Sequence, residues 1–304
     1  MSTETILGVL FALLAAFSFA TAQLLYRVGL KTHDYLSGML IRGSIAIPIL
    51  ITATIALSDL STYRILSAEL WIILVCSAIA LCIGDLLHLA GLKITPLSRA
   101  VPLSATYPIF TTFFAVILLN EQPSLILIMG TCVVVAGVSL VVRKKDTGSV
   151  NRQLAHKKSY GGEILVLGAA LIWGFAITLA ALVLKESGVK TFPILAMRLF
   201  IVLILVFLLS IIHNRGQMTI PRREVILERG TIMLGIGGIF GFAIGMPALY
   251  LSLERIGASQ AVPLSSVYPM LAAILGMIFL KEKVACQQWL GAGLIISGCI
   301  LIIL

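Results

Sequence analysis

Asp85 and His88 stand three residues apart in the otherwise apolar run CIGDLLHLAGLK (82–93). On a helix that spacing puts both side chains on one face. An acid and an imidazole so placed can exchange a proton, or the acid can hold a cationic group. Arg42 and Arg198 also interrupt apolar stretches. A guanidinium stays charged, so each must snorkel to an interface, pair with an acid or meet an anion. Two structural readings compete with the chemical one: a local Asp85–His88 hydrogen bond, and an Asp85–Arg42 pair that serves stability. Two arginines and one acid reaching a common cavity would suit a carboxylate-bearing or zwitterionic ligand.

A second set of chemistry-bearing residues occurs twice. Residues 100–110 read AVPLSATYPIF and residues 261–271 read AVPLSSVYPML, identical at seven positions. A proline has no N–H for the carbonyl four residues back. Pro108 therefore leaves the carbonyl of Ser104 unbonded, and Pro269 that of Ser265; Pro102 and Pro263 do the same nearer the helix starts. Ser104 and Tyr107 share a face, as do Ser265 and Tyr268. Carbonyls, hydroxyls and a phenol from both copies would make two walls of a central cavity. The competing reading is a pair of packing kinks.

The elements that must position these groups are membrane helices. Sixty per cent of the 304 residues are hydrophobic, only 12% are charged, and the mean hydropathy is +1.10. Spanning a bilayer takes about 20 mostly apolar residues. Ten such stretches lie near 6–26, 38–57, 70–90, 98–118, 125–143, 163–184, 195–213, 230–250, 260–280 and 286–304. Continuous apolar runs of this length predict an all-α integral membrane bundle. The first run has no basic residue before it and reads as a span, not a cleaved signal. The five cysteines match no metal-ligand spacing and read as small buried hydrophobes.

The two proline-rich copies are 161 residues apart, and at that offset Glu121 falls on Glu282, Gly130 on Gly291 and Gly137 on Gly298. Upstream, residues 8–31 fall on 162–185 and Arg42 falls on Arg198. The chain thus reads as two five-helix units, 1–143 and 161–304, joined by the polar basic linker 144–160. Five is odd, so the second unit enters the membrane from the opposite face. Such inverted repeats serve alternating access, with the site near the midplane where they meet. Asp85 and His88 fall on Met246 and Leu249, so that pair breaks the symmetry.

Basic residues mark orientation. Alternate connectors, beginning after the first span, hold sixteen lysines and arginines, and the opposite connectors hold four: Arg64, Lys185, Lys190 and Arg255. The positive-inside rule puts the sixteen in the cytoplasm and both termini outside. The net charge of +9 is thereby spent on orientation and anionic lipid, not nucleic acid.

The segments PLSATYPIF…LLNE…GTCVVVAGVSLVV and PLSSVYPML…FLKE…GAGLIISGCILII, with LIWGF (171–175) and the paired arginines, resemble the EamA-type branch of the drug/metabolite transporter superfamily. The resemblance covers nearly the whole chain. It implies a proton-coupled carrier, exchanger or facilitator for metabolites such as amino acids, sugars, nucleotide sugars or cations. It also implies cytoplasmic termini, against the charge bias.

The expectation is a secondary transporter in an inner or plasma membrane, moving a small polar metabolite, most readily an amino acid or related zwitterion or anion. The cavity would be lined by Gln23, Arg42, Ser104, Tyr107, Pro108, Trp173, Arg198, Ser265, Tyr268 and Pro269, with Asp85 and His88 in coupling. Trp173 has a packing alternative, Glu121 and Glu282 read as loop anchors, and Gly237, Gly241 and Gly245 as a close-packing face. No enzyme activity, cofactor or metal is expected, and no P-loop is present. The rivals are a lipid-linked substrate flippase and a receptor or scaffold that binds without transport.

Overall fold

The computed structural model describes residues 2–30, 32–57, 66–94, 103–142, 161–213, 228–271, 274–275 and 286–303. Pro102, Glu282 and the 144–160 linker lie outside them. The described helices are α1 (Thr3–Gly29), α2 (Tyr35–Leu57), α3 (Ala68–Ile94), α4 (Tyr107–Leu118), α5 (Leu125–Val142), α6 (Gly161–Ser187), α7 (Thr191–His213), α8 (Arg229–Ile256), α9 (Ala258–Ser265) and α10 (Cys286–Ile303). Among the described residues, α1, α2, α3, α6, α7 and α8 are long and apolar enough to cross a membrane. Segments of α4, α5 and α10 are apolar but shorter. All described regular structure is helical.

Most of these helices are apolar all round, so their buried faces are chosen by small residues that let neighbours approach. On α1, Ala12, Ala16 and Ala20 are wholly buried, while Ile6, Leu10, Leu13 and Phe17 form the exposed stripe. A Cβ on Gly130 would meet the carbonyl of Gly298 at 2.9 Å, and one on Gly137 that of Gly291 at 2.7 Å. As α5 ascends, α10 descends: they pack antiparallel, backbone against backbone. Lys190, just before α7, donates to the carbonyl of Leu57 at the end of α2. Glu121, just after α4, bonds the first residues of α9. Two pairs of helices that match in sequence, α5 with α10 and α2 with α7, therefore run antiparallel.

Contacts between the other elements repeat this pattern. α1 packs on α8 and its counterpart α6 on α3; α2 packs on α8 and its counterpart α7 on α3. Exchanging the halves leaves the pairing unchanged, as a two-fold axis between them requires.

Two helices depart from regular geometry. α8 contains a π-helical stretch, Ile239–Gly245, directly before Pro247, whose missing N–H and bulky ring disfavour an ordinary turn there. Glycines line its packed side: Gly238 lies on the backbone of Arg42, Gly241 on the Tyr26 hydroxyl and Gly245 on the Phe19 ring. The close-packing role expected of that glycine series is what α8 displays. The second departure is the break before α4 and after α9, at the turns Ala105–Thr106 and Ser266–Val267, positions equivalent in the two copies. Of the cysteines, Cys82 is buried, but Cys76 and Cys132 are exposed on helix surfaces, which corrects the reading of all five as buried. Nothing inside the bundle requires those two positions to be covered.

Candidate functional site

Arg42 on α2 begins the site. It lies seven residues from the helix start, about 10 Å along the axis at 1.5 Å per residue. It does not snorkel: Nη2 donates to Asp85 Oδ2 on α3 at 2.5 Å, with both side chains largely buried. The guanidinium packs over the rings of Tyr26 on α1 and Phe242 in the π-helical stretch, 5.1 and 4.9 Å from their centroids. Tyr26 donates its hydroxyl to the carbonyl of Gly237 at 2.9 Å. α8 thus supplies a ring to the arginine and, from just before its irregular stretch, a carbonyl to the tyrosine beside it.

The other oxygen of Asp85 accepts from the Trp173 indole of α6 at 3.0 Å. Gly84 makes room: a Cβ there would stand 2.6 Å from the indole. Both carboxylate oxygens are engaged, one by each sequence repeat. His88 does not bond Asp85. Its ring stacks on Trp173 at 4.7 Å between centroids, tilted by 47°, and its buried Nδ1 has no hydrogen-bond partner. The expected acid–imidazole pair is therefore bridged by an indole. Between the two sequence-level structural readings, the Asp85–Arg42 pair is the one observed.

Trp173 continues to the duplicated proline segments. The Tyr107 ring meets it edge-on at 6.4 Å and 87°, and Tyr268 meets Phe19 at 6.4 Å and 79°. Phe19 is the sequence counterpart of Trp173, so the two contacts are one contact repeated. Tyr107 lies within hydrogen-bonding reach of Ser265, and Tyr268 of Ser104. Ser104, Ser265, Pro108 and Pro269 are buried. The two copies are brought together, and they close on one another across the axis. Pro108 sits in the first turn of α4, where a missing N–H costs little.

Gln23 lies seven residues beyond Ala16 on the inward face of α1, among wholly buried alanines, yet it is exposed. It lies about one turn from Tyr26. Arg198 on α7, the counterpart of Arg42, is 1% exposed. It donates to the Tyr250 hydroxyl at 2.5 Å and the carbonyl of Ala176 at 3.1 Å. Among the described residues, no group of histidine, cysteine and acidic side chains is placed to hold a metal.

This doubled arrangement corresponds to a known pattern. A sequence model of the EamA-like transporter family matches residues 6–143 and again residues 160–304. The chain belongs to the EamA-like transporter family. EamA proteins form part of the drug/metabolite transporter superfamily. Over 298 residues the chain is 26% identical to an uncharacterized transporter of Archaeoglobus fulgidus, covering 98% of each. It is 26% identical over 227 residues to a putative sugar uptake protein of Listeria monocytogenes, 73% of this chain and 72% of that one. Over 89 residues it is 35% identical to a probable 4-amino-4-deoxy-L-arabinose-phosphoundecaprenol flippase subunit of Hamiltonella defensa, 29% of this chain and 79% of that one. A crystal structure superposes with a TM-score of 0.77 at 16% identity, over 97% of this chain and 95% of that one, a likeness of fold. This EamA protein is thus an integral membrane protein of a transporter family.

Sequence reasoning missed Tyr26, Phe242 and Tyr250, which dress the two arginines, and Phe19. The last was legible: laying 8–31 on 162–185 puts Phe19 on Trp173.

Proposed function

We propose that this protein is a secondary active transporter that carries a small polar metabolite across an inner or plasma membrane by alternating access. The cargo class that fits best is an amino acid or a related zwitterion or anion. The architecture is ten spans in two inverted five-helix repeats, 1–143 and 161–304, joined by the linker 144–160. The observation that carries the reading is Asp85, held on one oxygen by Arg42 of the first repeat and on the other by Trp173 of the second. An acid with a basic partner at this depth is expensive to insert and serves naturally as a coupling or binding group. A cargo ammonium or a proton that takes Asp85 weakens its link to Arg42, the one that depends on the carboxylate charge. Gln23, exposed one turn from Tyr26 on α1, offers an amide to the cargo. The Ser104–Tyr268 and Tyr107–Ser265 contacts form the closed crossing that must part in the other state. The antiparallel packing of matched helices supports two-sided access.

Counterflow in proteoliposomes tests the reading, using amino acids, sugars, nucleotides and organic cations under two pH gradients. Exchange of an amino acid or small carboxylate, with gradient response lost in Asp85→Asn, is the expected result. No exchange of any class by folded protein would overturn it. The likeness to a flippase subunit favours a second reading, a lipid-linked cargo. Movement of a polyprenyl-linked amino sugar in the same vesicles, without exchange of free solutes, would establish that one instead.

A further inference from the structure

Asp85 has no oxygen to spare. One accepts from Arg42 of its own repeat and the other from Trp173 of the second. A proton arriving there must displace one of these N–H donors. Three residues on, on the same face of α3, His88 keeps a nitrogen in reserve: Nδ1 is buried without a hydrogen-bond partner. Trp173 lies against both residues, giving its N–H to Asp85 and its ring to His88 at 4.7 Å between centroids. A proton, unlike a solute, needs no cavity to reach such a nitrogen.

Few other groups compete for it. The charges that act on His88 are Asp85 and Arg42. Cys82 is the further ionisable side chain on that stretch of α3, and α6 has none between Glu163 and Lys185. Tyr107 of α4 meets Trp173 edge-on. Tyr26 of α1 gives its hydroxyl to Gly237, and Arg198 of α7 is bonded to Tyr250 and the Ala176 carbonyl. In an imidazolium both ring nitrogens are donors, and a donor buried without an acceptor is costly. The state described is therefore the proton-free one. A protonated His88 must find an acceptor, and Asp85 stands three residues back on its own helix, at the spacing of interacting pairs. An imidazolium also attracts a carboxylate by its charge, as a neutral indole does not.

We infer that His88 takes the coupling proton and, once charged, replaces Trp173 on Asp85. The proton comes from water and adds to the imidazole lone pair. Asp85 stays ionised and exchanges one N–H donor for another. The bond between the acid of the first repeat and the indole of the second is thereby cut, while Arg42 stays in place. The coupling role rests on the transport reading proposed above; the exchange of partners does not.

The indole N–H signals of the full-length protein in detergent, isotopically labelled for NMR, test it. The tryptophans are Trp71, Trp173 and Trp289, and Trp173→Phe assigns the signal that matters. A bond to a carboxylate holds an indole proton downfield. Acidifying from about pH 8 to about pH 5, the range in which histidine changes charge, should move the Trp173 signal upfield. The signals of Trp71 and Trp289 monitor the fold. The Trp173 signal should stay in place in His88→Gln and in His88→Phe, which keeps a ring against the indole. An unmoved signal in the parent would overturn the exchange. Equal movement in both variants would give the proton to Asp85 and overturn it too. In proteoliposomes, uptake by His88→Gln should be the same with and without a pH gradient; a response equal to the parent's removes the coupling role. A parent with no counterflow of any solute sinks the transport reading alone, and the indole signal still decides the exchange of partners.

Discussion

Trp173 donates its indole N–H to Asp85 across 3.0 Å, and that bond ties the second sequence repeat to the acid of the first. Trp173→Phe keeps a ring against His88 and Tyr107 and deletes only the donor. A hydrogen bond to a charged group contributes about 1.5–3 kcal/mol. Uptake by the variant should fall roughly tenfold, with the midpoint lowered by several degrees. Wild-type uptake would place the indole among packing groups.

Asp85 and Arg42 make the second test. Asp85→Asn strands the guanidinium, and breaking a buried pair costs about 3–5 kcal/mol. The double variant Arg42→Gln/Asp85→Asn removes both charges and should regain most of the lost thermal stability. Gradient-driven uptake should be absent from both proteins. Recovery of uptake together with stability would make the pair structural.

Glu121 offers a test at the membrane edge. Its two oxygens accept from the free N–H groups of Ala258 and Ser259, at 2.7 and 2.9 Å, where α9 begins. Gly257 carries φ +75° and has the carboxylate 3.0 Å from where a Cβ would stand. Glu121→Ala should lower stability by about 1–3 kcal/mol, with Glu121→Gln intermediate, as followed by unfolding in detergent. Equal stability of all three would remove the cap from the ledger of α9.

The close glycine contacts predict that α5 and α10 tolerate no added Cβ where they cross. Gly130→Ala and Gly137→Ala each press a methyl against a backbone carbonyl of α10, so each should lower the unfolding midpoint in detergent, and the double variant should lower it further. Gly293→Ala on α10, whose Cβ position has nothing within 4 Å, should leave the midpoint unchanged. Equal midpoints for all of these proteins would mean that α5 and α10 do not meet backbone against backbone.

Orientation is open to labelling. The excess of sixteen basic residues against four predicts that a cysteine placed within 144–160 is protected from a membrane-impermeant reagent in intact cells. Labelling from outside would reverse the assignment and agree with the family resemblance instead.

The repeat was legible because it is written in residues that an apolar helix has no other reason to hold: paired prolines, tyrosines, glycines and arginines. Asp85 stood out for the opposite reason, since Met246 occupies its counterpart. What could not be read was which face each helix turns inward. A helix that is apolar all round carries little periodic signal, so nothing in α1 announced that Tyr26 would dress Arg42. His88 shares a helical face with Asp85 by spacing, but an indole from 88 residues away in sequence came between them. Glu121 read as a loop anchor; that its partner is the start of α9, more than 130 residues on, is a property of the assembled halves.

Asp85 beside Arg42, against Met246 beside Arg198, also bears on which way the protein rests. Two faultless copies of one unit would sit equally deep in either of their mirrored poses, and the molecule would idle half its time open to each side. Here one copy holds its charges in balance and the other does not. On the alternating-access reading proposed above, the two poses therefore differ in depth, and the bilayer has a front and a back for this protein before any gradient is applied.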